Sequence, residues 1–461
     1  MRDTDVEPKP SSKPGSSSEA LRFLEDETVI KEEEMILGRA KLEQQKVHFP
    51  KRLWWAAVDH GGLKELIGHV GSLIQRLFDF LSITAQEDVQ QQFHLLNLTM
   101  LNVVQKLDDL QVVSQLVQRS VMPDETLTTV AELRALQIGE SDTTAQTKAP
   151  YVRKSLLKDK RKIENGYIAK YEAVPVYVER KKYSESDVAG ANAVTISRRV
   201  QNLTALLSVP KASSFRSLHC IGSFQDPEKS EYCFVFDRPL ASREHVPPRS
   251  LLSLLRSTYT PSQTARFQRA YELATTVLHL HSAGWLHKGL RSENILFFPT
   301  SDNAPFTLNE PYIMGFEYAR RDAPDEESEK PSFNPSQDIY RHPRAQGPAS
   351  DRYIKAFDIY ALGIILVEIA RWRPFEDIVE KMGYKLRDVN MAVATDIQKT
   401  ITGEKNKDKF PVNLRFAMGD EYTKVVLCCL GSYFEDEKLS GKEYIEGFYN
   451  MIVQRLKACK V

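Results

Sequence analysis

WLHKGLRSENILF, residues 285–297, is the stretch from which the rest of the chain is read. A polar run from His287 to Asn294 sits between apolar residues, Trp285 and Leu286 before it and Ile295 and Leu296 after it. Upstream, Ala265 to Ser282 reads as a long helix. Downstream, KAFDIYALGIILVEIA (355–370) reads as an apolar helix with Asp358 in its first turn, and RPF (373–375) follows it. Ser250 to Arg256 and Ser197 to Leu207 are further helix candidates. VPVYVER (174–180) and YCFVFDRP (232–239) are short and rich in β-branched and aromatic residues, the composition of strands. Strands first and helices after predict an α+β fold in two lobes.

The order of these segments resembles a protein kinase domain over about residues 165–455. The 285–297 stretch is similar to the catalytic loop H-R-D-L-K-x-x-N, with His287, Leu290 and Asn294 matching. The 355–370 helix is similar to the helix whose Asp braces that loop, which makes Asp358 the bracing residue. The resemblance implies a bilobal kinase-like domain. It also shows where the chemistry is missing. A kinase uses a carboxylate to accept the substrate hydroxyl proton, and the matching position is Gly289. The loop lysine is Arg291. The D-F-G triplet matches MGFEYAR (314–320), so the metal-binding Asp becomes Gly315, with Glu317 as a substitute carboxylate nearby. A glycine-rich loop places backbone N–H groups against phosphates; RKIENGYIAKYEA (161–173) holds only Gly166. The strand lysine is Lys181 or Lys182, although strict alignment puts Glu179 there. Residues 197–207 contain no Glu, and Gln201 is the nearest polar candidate for an ion-pair partner. The A-P-E position reads RHPR (341–344), with Pro343 kept and Arg344 in place of the Glu. The domain is therefore expected to be a pseudokinase, not an enzyme. The degraded positions are Gly289, Gly315 and Arg291. Residual nucleotide contacts are expected from Lys181, Asn294 and Glu317. The expected cofactor is none, or weakly held ATP with magnesium, with no resident metal.

The N-terminal half has a different pattern. Residues 1–18 are polar and rich in proline and serine, and are expected to be a disordered tail. Helical spacing begins near residue 50. Val89, Phe93, Leu96, Met100, Val103, Leu107 and Leu110 keep a strict heptad and predict a helix from about 87 to 117 with that row as its buried face. A shorter helix is predicted at 127–136. The expected layout is a helical bundle over 19–137, a linker over 138–160, and the kinase-like domain over 161–461. RLWWAAVDHGGLKELIGHVGSLIQRLFDFL (52–81), with Trp54–Trp55 and the turn Asp59 to Gly62, resembles the later part of the HeLo, or prion-inhibition and propagation, domain of fungal incompatibility proteins. That resemblance, read over residues 48–137, implies an effector or self-association module. It also implies that the family's N-terminal apolar segment, associated with membrane attack, is replaced here by the polar tail.

Composition narrows the partners. Lys+Arg and Asp+Glu are 62 each, and zero net charge argues against a general nucleic-acid binder. The one basic run, KSLLKDKRK (154–162), reads as a solvated face. Five cysteines without metal or redox spacing fit a reduced cytoplasmic protein. Partners are expected to be proteins, or further copies of the chain through helices 63–137, with membrane contact unsupported by this N-terminus. Regulated cell death, incompatibility or other signalling is the expected setting. The alternatives are a divergent active Ser/Thr kinase and a plain scaffold.

Overall fold

The computed structural model describes residues 83–104, 124–139 and 149–459, apart from short stretches at 165, 184–190, 301–307, 309, 323–332, 348–350, 405–408 and 437, together with isolated positions between 72 and 115. The chain divides at Ile83/Thr84 into two compact units. The described residues lie almost entirely in the second. The tail expected over 1–18, the first part of the expected bundle and the HeLo-like stretch 52–81 lie outside them.

Among the described residues the first elements with defined bounds are the helices α1 (Ile83–Val103) and α2 (Glu125–Gly139). A five-stranded antiparallel sheet follows: β1 (Leu157–Ile163), β2 (Gly166–Tyr171), β3 (Val174–Lys182), β4 (Cys220–Asp226) and β5 (Glu231–Asp237), in the order β1-β2-β3-β5-β4. Helix α3 (Ala191–Leu207) lies between β3 and β4 in sequence and packs on β4. The remainder is mainly helical, with α4 (Leu251–Leu255), α5 (Gln263–Ser282), α6 (Pro335–Asp338), α7 (Lys355–Arg371), α8 (Phe375–Lys381), α9 (Met391–Thr402), α10 (Lys409–Leu430), α11 (Gly441–Phe448) and α12 (Gln454–Ala458). Short strand pairs frame the 287–294 loop: β7 (Trp285–Leu286) with β10 (Arg320–Arg321), and β8 (Ile295–Phe297) between β6 (Arg249–Ser250) and β9 (Pro311–Ile313). The chain is α+β, as its sequence implied.

Helix α7 is the axis of the second half. Residues 356–370 are buried without exception, which is why the segment is apolar on every side. Helices α5 and α10 flank it, with Phe357, Ile364 and Leu366 in the shared core. Trp285 and Phe316 fill that core at the ends of the loop.

Three expectations need correction. The heptad row on α1 faces the wrong way: Phe93, Leu96 and Met100 are exposed, while Leu95, Leu98 and Leu101 are buried. The helix carries two neighbouring apolar rows, and spacing alone does not choose between them. That helix also begins at Ile83 and stops at Val103, short of residue 117. Second, the boundary at 137/138 falls inside the compact unit. Leu133 O accepts from the Trp285 indole at 3.5 Å, Thr129 Oγ1 from Ala212 N at 3.0 Å, and Leu98, Leu127 and Val130 join the same core as α5. Third, β1 starts at Leu157, within the stretch read as linker, and Val152 before it is already buried.

Candidate functional site

The 287–294 loop is held from below by Asp358 in the first turn of α7. Its carboxylate is fully buried and accepts four hydrogen bonds: from His287 N (2.7 Å), Lys288 N (2.9 Å), the Tyr353 hydroxyl (2.8 Å) and His281 Nε2 (3.2 Å). Burial alone would raise the Asp358 carboxyl. The His281 bond and the neighbouring imidazoles and N–H groups outweigh it and hold the group below its ordinary value. Lys288 adopts a left-handed φ of 62°, and this tight turn lets both N–H groups reach one carboxylate.

Above the brace, three residues interlock. The Asn294 amide donates to Gly289 O at 2.8 Å, and Asn294 O accepts from Met314 N at 2.8 Å. Gly289 lies so close to the next segment that a Cβ would stand 2.7 Å from Gly315 O. Gly315 has φ +80°, and a Cβ there would overlap the Asn294 side-chain amide. Each glycine thus fits because it has no side chain, and each leaves Asn294 in place. The positions read from sequence as a missing base and a missing metal ligand are filled by their neighbours.

The sheet closes the site from the other side. Glu179 on β3 points inward, and its Oε2 accepts from Gly315 N at 2.9 Å. Burial pushes this carboxyl up to about 7; Glu317 adds to the shift, while the Gly315 and Phe316 N–H groups and Arg291 oppose it. Two residues along β3, Lys181 is also buried and donates to Glu317 O at 2.7 Å, with Nζ 5.1 Å from the Tyr318 ring centre. Arg291 pairs with Glu293 at 3.0 Å and approaches Glu317 at 3.6 Å. Lys181, Arg291 and Glu317 are therefore together: Arg291 reaches the Glu317 carboxylate, and Lys181 holds the Glu317 backbone carbonyl. Asn294 belongs to the glycine interlock. Gln201, the candidate ion-pair partner, is exposed, and Arg199 of the same helix lines the cleft with Lys181 and Glu317 instead.

The hairpin above the cleft is equally closed. Ile163 pairs directly with Gly166, leaving a two-residue turn. Gly166 is required by packing, since a Cβ there would overlap Val178 O of β3. Glu164 at the tip accepts from the Ser250 hydroxyl at 3.2 Å, tying the hairpin to the start of α4. Two cavities in the cleft, lined by Lys181, Arg199 and Glu317 and by Lys288, Gly289 and Arg291, are each about 20 Å³. That is room for about one water, against the ~300 Å³ or more of a small-molecule site. A larger cavity of about 380 Å³ lies elsewhere, between α1, the start of α2 and residues 212–214. Asp124 and His94 meet there at 2.6 Å, and His94 Nε2 lies 3.3 Å from His279 Nε2. Sequence reading had not singled out this cluster, whose members are 30 and 185 residues apart.

A second buried carboxyl supports the loop. Glu368 of α7 accepts from Phe375 N (2.8 Å), the Tyr340 hydroxyl (2.7 Å) and Ser292 Oγ (3.2 Å). Burial pushes it up to about 8, so it holds a proton at neutral pH. Its folded value lies above the ordinary 4.5, so its contribution to stability is complete below 4.5 and is lost as pH rises through 8. Burial moves His279 and His287 the other way, down to about 3 and about 4, so their contribution is lost as pH falls below 6.5. Glu368→Gln removes the first effect alone. Relative to the parent chain it should gain about 2–3 kcal/mol in urea-unfolding free energy between pH 5.5 and pH 8.5. Parallel stability curves for the two proteins would contradict the assignment.

Among the comparisons with known proteins, residues 2–113 match the family model HeLo, described as prion-inhibition and propagation. This corrects the sequence reading in two ways. The match begins at residue 2, so the polar N-terminus expected to be a tail lies inside the matched span. It ends at residue 113, short of the expected 137. The argument that this N-terminus speaks against membrane contact loses its footing. No curated protein matches the chain. Among the described residues no helix is long and apolar enough to cross a membrane.

Proposed function

We propose that the chain is a non-catalytic signalling protein, in which a kinase-like region over about 149–461 acts as a switch for the N-terminal segment that matches the HeLo model. The observation that carries this reading is the interlock of Gly289, Asn294 and Gly315. Phosphoryl transfer needs a base and a metal-bound phosphate at these places. Here the backbone and one amide occupy the space. The antiparallel sheet with α3 inserted between β3 and β4, the helical second half, and Asp358 beneath the loop all fit the fold that the sequence resemblance implies.

The opposing reading, a divergent active kinase using Asn294 and Glu317 for magnesium, fits less well. The Asn294 amide is engaged by Gly289 O, the Glu317 carboxylate is approached by Arg291, and Lys181 is bound to the Glu317 backbone carbonyl. A neutral amide and a carboxylate beside two cations make a poor magnesium site. The setting proposed for the switch is regulated cell death or incompatibility, the context attached to the HeLo family; self-association or a protein partner would be its output. The test is phosphate transfer from γ-labelled ATP to the chain itself and to generic Ser/Thr substrates. No incorporation above a heat-denatured sample is expected. Magnesium-dependent incorporation that Glu317→Ala removes would establish the active-kinase reading instead.

A further inference from the structure

Among the described residues strand β1 is an edge strand, paired with β2 on one side alone. Its sequence is LKDKRKI, and residues 158–162 are exposed in succession. Four of those five are cations: Lys158, Lys160, Arg161 and Lys162. The chain as a whole is neutral, so this density does not follow from composition. Asp159 is the one carboxylate within the run, and Asp226 also feels Lys160, which leaves an excess of positive charge. Asp226 and Glu228 pair with Lys154, Glu244 pairs with Lys170, and Glu164 is bound by Ser250. Lys160 leans toward the Tyr167 ring at 5.9 Å, and Arg161 donates to His245 O at 2.6 Å. Lys158 and Lys162 have no ion-pair partner among the described residues.

Lysines on an edge also discourage strand addition by apolar chains and by like-charged copies. One or two charges would suffice for that. Four cations on a strand of roughly 23 Å, at about 3.3 Å per residue, lie on either side of a bulge between Lys158 and Arg161, where Asp159 has φ 54°; the edge offers charge together with backbone groups that no other described strand pairs. A linear peptide with carboxylates is the partner that answers both, because it can add hydrogen bonds along the edge while its side chains meet the lysines. A membrane surface or a nucleic acid would meet the charge and leave the backbone groups unanswered.

We propose that β1 is a docking edge for an extended acidic peptide segment of a partner protein. This surface is separate from the cleft and does not depend on the kinase-like reading. The probe is a fluorescein-labelled peptide of about eight glutamates, followed by anisotropy on the full chain. Saturable binding is expected, weakened about tenfold or more by Lys158→Glu with Lys162→Glu. Both positions are exposed, so the double variant should melt with the parent. A peptide of alternating glutamate and proline with equal charge should bind at least about fivefold more weakly, since proline lacks the N–H needed for pairing. Absence of binding, or binding unaffected by the charge reversal, would overturn the proposal. Equal binding of the proline peptide would overturn the edge pairing, as would binding to phosphatidylserine vesicles without binding to the peptide.

Discussion

Asp358→Ala should lower the unfolding free energy by about 4 kcal/mol or more, the largest loss expected from a single polar substitution in this chain. The carboxylate accepts four hydrogen bonds in a site closed to water. Truncation leaves two backbone N–H groups, a tyrosine hydroxyl and an imidazole without an acceptor. Each buried orphan costs about 1–3 kcal/mol, and partial relaxation keeps the total below the simple sum. Asp358→Asn should fall between, because one oxygen remains while the new NH₂ faces groups that also donate. Chemical denaturation of the three proteins measures this. An unchanged midpoint for Asp358→Ala would mean that the loop backbone is supported in some other way.

Restoring the missing carboxylates should break the site instead of repairing it. Gly315→Asp places a side chain where the Asn294 amide now lies and forces a non-glycine residue into φ +80°. The left-handed backbone alone costs about 1–2 kcal/mol. Displacing Asn294 also breaks its bond to Gly289 O. A loss of about 3 kcal/mol or more is expected. Gly289→Asp meets Gly315 O at 2.7 Å and should cost about 2 kcal/mol. Gly315→Ala separates the steric part from the charge and should lose most of the same stability. None of these variants should transfer phosphate. A Gly289→Asp, Gly315→Asp protein with parental stability and magnesium-dependent activity would show that the space is available after all.

Some of this was legible in the sequence. Asp358 could be assigned because KAFDIYALGIILVEIA, in order after the 285–297 stretch, resembles the kinase helix whose Asp braces the loop. Glu179 entered the reading only by aligning VPVYVER with the kinase strand that carries the lysine. Other elements were hidden for physical reasons. In β1, LKDKRKI, both faces are wet over five residues, so no apolar alternation marks it as a strand. The α1 helix has apolar residues on two adjacent rows, and only packing into the shared core selects Leu95, Leu98 and Leu101. The interlock was hidden as well. A missing aspartate can be read from one chain, but the mutual exclusion of Gly289, Gly315 and Asn294 depends on approaches between segments about twenty residues apart.

The central claim is that the loop is closed to a metal-bound nucleotide by packing. Thermal melting of the full chain with ATP or ADP, with and without magnesium, tests it most directly. The account predicts the same melting temperature in every condition, within experimental error. A magnesium-dependent rise of several degrees, reduced by Asn294→Ala or Glu317→Ala, would contradict it.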